Sequence, residues 1–105
     1  MKQYDIVIVN LNPTQGSEIK KTRPCVIVSP NEINNFLKTV VICPITSQSK
    51  NYPTRVNFEL EGNTNSIAID QIRTIDKGRV IKNIGKLSNN TIEKVKSVIQ
   101  ETFVE

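Results

Sequence analysis

The feature that most constrains this chain is its repeated switching between short β-branched runs and turn residues. Residues 4–11 read as a strand with apolar side chains on both faces, which places it inside a sheet. A second strand over 23–29 is ended by Pro30. The segment 31–37 is too rich in Asn for more than one helical turn. A third strand covers 39–43, and Pro44 then removes a ladder donor, which predicts an edge or a bulge there. Residues 54–60 alternate, with Val56, Phe58 and Leu60 on one face of a half-buried strand. A turn over 61–65 leads to one long strand, or two short ones with a kink, over 66–75. A last strand over 80–87 is weakened by Gly85. The chain closes on a helix capped by Ser88 or Asn90, with Glu93 at a capping-box distance from Asn90. Ile92, Val95, Val98, Ile99 and Phe103 share one helical face and read as core packing. Six to seven short strands with Gly and Pro turns, then one helix, predict a mainly β fold, a small twisted barrel or sandwich.

Within that frame the run 12–24 stands out. Pro13 and Gly16 break any ladder, and its other residues are mostly polar or charged. It is longer than the roughly two to five residues of a hairpin turn, so it reads as a mobile loop that is either functional or disordered. Its last charged residue, Arg23, stands at the mouth of a strand.

The 105 residues suit one domain with a small core. No apolar run is long enough to span a bilayer, and Met1-Lys2-Gln3-Tyr4 leads straight into a strand without a signal-peptide pattern. The expectation is a cytoplasmic protein with no membrane partner. Cys25 and Cys43 each sit in an apolar run and read as buried, reduced thiols, with a disulfide as the lesser alternative. Fourteen Lys and Arg against ten Asp and Glu is a modest excess. Five cations (Arg73, Lys77, Arg79, Lys82 and Lys86) fall close together with the single anion Asp76. That run is either a solvated face or a surface facing a polyanion.

The chain contains no histidine. Histidine acid–base pairs, histidine triads and most metal hydrolases are thereby excluded, and two thiols cannot close a zinc site. What remains are polar interruptions of apolar strand ends: Arg23, Thr46 and the pair Asp70-Gln71. If the second and third strands are neighbours, Arg23 and Thr46 share a rim. A guanidinium offers fixed N–H donors to a phosphate, and a threonine hydroxyl can bind or orient a second oxygen. RNA carries its own nucleophile in the 2′-hydroxyl, so such a site needs only positioning, charge stabilisation and a proton acceptor. Glu18 and Asp70 are the candidate acceptors.

Four blocks, in register over nearly the whole chain, resemble the MazF/PemK toxin family of type II toxin–antitoxin modules. They are Asn12-Pro13-Thr14-Gln15-Gly16-Ser17-Glu18 to Arg23-Pro24, Val28-Ser29-Pro30, Pro44-Ile45-Thr46-Ser47-Gln48, and Asp70-Gln71-Ile72-Arg73-Thr74-Ile75-Asp76. The resemblance implies an SH3-like β-barrel with a C-terminal helix, assembled as a homodimer. It implies a metal-independent, cofactor-free endoribonuclease that cuts single-stranded RNA to a 2′,3′-cyclic phosphate and a 5′-hydroxyl. Arg23 and Thr46 match the family's catalytic positions. Ser17, Glu18 and Lys20 lie in its loop over the RNA, and Ser47, Gln48, Gln71 and Arg73 are the remaining RNA-binding candidates. An antitoxin with an acidic C-terminal segment would cover the same groove. Tyr4 stands where the family usually has Gly. Neither the histidine that some members have at Ser17 nor the arginine that some have at Ala68 is present, which favours catalysis by Arg23 and Thr46. Two other functions fit the fold: a non-catalytic toxin that poisons a topoisomerase, and a plain RNA-binding barrel. The latter is poorly supplied with aromatics for stacking, Tyr52 being the remaining candidate.

Overall fold

The computed structural model describes residues 1–11, 22–48 and 51–104; Ser17, Glu18 and Lys20 lie outside them. Its elements in chain order are β1 (Asp5–Asn10), β2 (Thr22–Ile27), a one-turn α1 (Asn31–Asn34), β3 (Thr39–Thr46), β4 (Arg55–Leu60), β5 (Asn63–Ala68), β6 (Arg73–Asp76), β7 (Val80–Lys86) and α2 (Asn89–Phe103). Short 3-10 turns at Ile69–Gln71 and Lys77–Arg79 flank β6. All strand pairs are antiparallel. The sheet runs β4-β5-β3-β2-β1-β7, and β6 pairs with the other end of β3.

The two apolar faces of β1 bury two separate cores. Ile6 joins Val26, Cys43, Ile45, Val56, Ile67, Ile69, Leu87 and Val95 under helix α2. Val7 and Val9 face the other way, with Cys25, Ile27, Val40, Ile42 and Ile75. A strand apolar on both faces belongs inside a sheet, and β1 lies between β2 and β7. Cys25 and Cys43 therefore sit on opposite faces, free and buried, in separate cores.

Pro44 is not at an edge, as its missing donor suggested. It pairs with Cys25 in the middle of β3, the strand that touches β2, β5 and β6. The physical reason is a change of partner. Residues 39–42 of β3 pair with β6 and residues 45–46 with β5, so Pro44 falls in the gap between them, where no strand calls for its N–H.

The hairpin turn between β4 and β5 is Glu61-Gly62, shorter than the expected 61–65. Both residues have positive φ, 52° and 81°, the geometry whose twist matches the flanking strands. Asn63 to Asn65 are thereby released into β5. The segment 66–75 is broken by the 3-10 turn at 69–71 into two strands that pair with different parts of β3.

Ser88, not Asn90, caps α2: its Oγ accepts from the Thr91 N–H at 3.3 Å. Glu93 pairs instead with Lys96 at 3.8 Å. Val95 is buried and Ile92, Val98 and Ile99 pack against the core, but Phe103 at the helix end is exposed. Tyr4 has φ 70°. This is the left-handed region that a Cβ disfavours, so a glycine suits the position better. Its backbone is held on both sides, donating to Ile27 O and accepting from Leu87 N.

Among the described residues, no helix is long and apolar enough to cross a membrane.

Candidate active site

Strand register decides what meets what. Cys25 opposes Pro44, and Arg23 and Thr46 lie two residues further along β2 and β3, on the same face of their strands as that pair. Thr46 in turn opposes Ser66 on β5, and Arg23 opposes Val9 on β1. Directly opposed residues of antiparallel strands point to the same face. Arg23 and Thr46 thus share one face of the sheet, at the open end of the row that starts in the core at Val9.

Both side chains line one cavity of about 670 Å³, together with Thr22, Pro24, Ile45, Ser47, Gln48, Tyr52, Arg55, Asn65 and Gln71. The convergence expected from sequence is present. The hairpin delivers β4 in register, Arg55 opposite Ala68, and the 3-10 turn that follows β5 brings Asp70 and Gln71 back to the start of β4.

Two guanidinium groups border this cavity, and they differ in what they can still do. Arg55 Nε donates to Asp70 Oδ1 at 2.9 Å and its NH2 to Oδ2 at 3.3 Å, so its charge is already matched. Among the described residues, no carboxylate pairs with Arg23. Arg23 therefore retains its charge and donors for an incoming anion. The hydroxyl of Thr46 donates to Gln48 O at 3.0 Å and accepts from Gln48 N at 3.1 Å. This small turn fixes its orientation until a stronger acceptor arrives.

The hydrogen bonds from Arg55 hold the Asp70 carboxyl below its ordinary value. A carboxylate so stabilised is a weaker base, and Asp70 does not line the cavity. Of the RNA-binding candidates, Ser47, Gln48 and Gln71 line it. Arg73 lies on β6, paired with Ile42.

The basic run 73–86 does not gather at the cavity either. Lys77 donates to Asn34 O and Arg79 to Asn10 O, both tying the fold together, while Lys82 and Lys86 lie on the far edge strand β7. The alternation of 54–60 leaves Arg55 off the face of Val56, Phe58 and Leu60, and Asn65 falls inside the turn expected over 61–65, so neither stands out in sequence. The signal that could have found Arg55 is its place three residues after Tyr52, at the end of a polar loop.

Fold and cleft together define a small, curled β protein with a polar cleft prepared for an anion. Comparison with known proteins specifies this further. Residues 2–103 match the family model for the PemK-like, MazF-like toxin of type II toxin–antitoxin systems, and the chain belongs to that family. It is 31% identical over 105 residues to Endoribonuclease MazF of Staphylococcus saprophyticus, covering 94% of this chain and 88% of that one. Among solved structures it superposes on MazE-MazF of Deinococcus radiodurans with a TM-score of 0.83, at 23% identity and with 96% and 93% of the two chains covered. It superposes on toxin MazF-mt6 of Mycobacterium tuberculosis with a TM-score of 0.80, at 22% identity and with 94% and 95% covered. An endoribonuclease in complex with its cognate antitoxin from a mycobacterial species gives 0.83 at 20% identity, with 96% and 92% covered.

Proposed function

We propose that this MazF-type endoribonuclease toxin cuts single-stranded RNA, mRNA included, in the cytoplasm, using Arg23 and Thr46 and no metal. The observation that carries the reading is that Arg23 and Thr46, on the adjacent strands β2 and β3, line one cavity, with Arg23 not engaged by a carboxylate among the described residues. A scissile phosphate seated there receives the guanidinium donors on its non-bridging oxygens. As the ribose 2′-oxygen attacks phosphorus, negative charge grows on those oxygens, and donors already aimed at them favour the transition state. The Thr46 hydroxyl exchanges its bond to the Gln48 carbonyl for one to the phosphate. The 2′-proton passes to an acceptor, for which Glu18 is the first candidate, given the pairing of Asp70 with Arg55. The 5′-oxygen leaves with a proton, so the products are a 2′,3′-cyclic phosphate and a 5′-hydroxyl. Ser47, Gln48 and Gln71 border the bound strand, with Ser17 and Lys20 supplied by the 12–22 loop and Arg73 farther out.

The partners follow from the same surface. A polar cleft that keeps the Arg23 guanidinium unmatched suits the acidic segment of a cognate antitoxin, which would block RNA by occupying it. We also propose a homodimer, since large apolar side chains such as Phe36, 87% exposed, are left for a partner to cover.

The test is a digest of one long RNA with EDTA present. The expected result is discrete cleavage with 5′-hydroxyl ends, lost in Arg23→Ala while the variant keeps its thermal transition and oligomeric state. Retained cleavage in Arg23→Ala would remove this residue from the mechanism. No cleavage of any long RNA by the unaltered chain would point to a non-catalytic toxin on the same fold.

A further inference from the structure

The cavity lined by Arg23 and Thr46 also holds an arrangement that the cleavage chemistry does not use. Tyr52 is 53% exposed there, and the Arg55 guanidinium carbon lies 5.6 Å from the centre of its ring. That guanidinium is itself immobilised. Its side chain is only 11% exposed, and two hydrogen bonds to Asp70 fix its plane. The Tyr52 backbone is held as well: Pro53 restricts its ψ to extended values, and Tyr52 O accepts from Arg55 N at 3.0 Å. Half of this aromatic side chain is open to water. Held in place by a cation beneath it, in the wall of a polar cleft, it suits a ligand with a flat π-face.

We propose that Tyr52 is the stacking platform for a nucleobase next to the scissile phosphate, and that the Arg55–Asp70 pair is its brace. This rests on the RNA-cleaving reading above. Arg55 then acts through geometry rather than charge, because its charge is matched by Asp70, and the phosphate is left to Arg23. Asp70 acts as a positioning residue, two contacts away from the RNA, and not as the proton acceptor. Its carboxyl is held below the ordinary range by Arg55, which agrees with that division of labour. Stacking on an aromatic ring accepts any base, so Tyr52 contributes affinity and alignment, and the choice of base falls to hydrogen-bonding groups such as Gln71 and Asn65.

The experiment uses the full chain and two forms of an RNA oligonucleotide spanning a mapped cut site. One is all-ribose, for cleavage. The other has a 2′-deoxy nucleotide at the cut and 2-aminopurine at each neighbouring position in turn, for binding without cleavage. Stacking should quench the 2-aminopurine emission at one position. Tyr52→Phe should keep the quench. Tyr52→Ala should abolish it and raise KM about ten-fold, with kcat within about two-fold, since the platform supplies uniform binding and not transition-state charge. Arg55→Lys and Asp70→Asn should each reduce the quench partly, and Asp70→Asn should leave the pH profile of kcat in place. An unchanged quench in Tyr52→Ala overturns the platform. A loss of kcat by orders of magnitude in Asp70→Asn overturns the brace and restores Asp70 as acceptor. The nuclease reading fails separately, if the all-ribose strand stays intact while the deoxy strand binds and is quenched. If neither strand binds, both fall.

Discussion

At the scale of single residues, the chain divides its polar groups by whether their charge is already matched. Arg55 and Arg23 border the same cavity, yet only Arg55 has an acidic partner among the described residues. A net charge kept for a ligand is what separates a site residue from a structural one. Thr46 is committed to its own turn through one hydroxyl, so the part proposed for it in cleavage depends on that hydroxyl alone. Thr46→Val should lower kcat by about a hundred-fold, the scale of losing one transition-state donor, while Thr46→Ser should retain most activity; single-turnover cleavage of one oligonucleotide measures both. The thiols show the opposite use of burial. Burial pushes Cys25 and Cys43 up to about 12 from an ordinary 9.0. The protonated thiols should therefore fail to react with a disulfide reagent in the native protein at pH 8 and react fully in denaturant. The sign for stability is also set. The contribution of the neutral thiols is complete below pH 9 and is lost as pH rises toward about 12, because the unfolded chain ionises first.

At the scale of elements, turns and changes of partner decide more than strand propensity. The β4–β5 hairpin places Arg55 against Ala68, and that register depends on a two-residue turn with both residues at positive φ. A Cβ at Gly62 would meet nothing within 4 Å, so the cost of adding one is purely that of the backbone. Gly62→Ala should destabilise the protein by about 1 kcal/mol, read from urea unfolding, with no change in cleavage at a temperature where the variant is folded. Helix α2 and its apolar stripe were legible in the sequence because a period of 3.6 residues is a local signal. Where the stripe stops being buried was not: Phe103 continues the pattern but is exposed. Pro44 misleads for the same reason. Its missing donor is visible in sequence, but the gap between β6 and β5 that makes it harmless exists only once β3 has met both.

At the scale of the whole molecule, the distribution of charge matters more than its sum. The excess of four positive charges is small. The five cations between residues 73 and 86 read in sequence either as a solvated face or as a surface facing a polyanion; in the fold Lys77 and Arg79 donate to backbone carbonyls of other segments, and Lys82 and Lys86 lie on the edge strand β7. RNA affinity should nonetheless fall with salt, because phosphate contacts release counterions. One such contact, from Arg23, predicts a slope of log K against log salt of about −0.7 for a single strand. Fluorescence anisotropy of the 2′-deoxy oligonucleotide from 50 to 300 mM KCl measures it, and a flat response would count against phosphate binding by this face. The absence of histidine narrows the chemistry at this scale too, since no group in the chain has an ordinary pKa near 6.5.

The β-rich architecture, the terminal helix, the buried thiols and the pair of residues on which cleavage is proposed to depend were all legible in the order of residues. Those are properties of local periodicity, hydrophobicity and chemical type. That Pro44 lies inside a central strand, that Arg55 and Tyr52 belong to the cavity, and that Asp70 is held by Arg55 emerged only once the strands had assembled. Each of these depends on which strands become neighbours and in what register, and register is set by contacts between residues far apart in the chain.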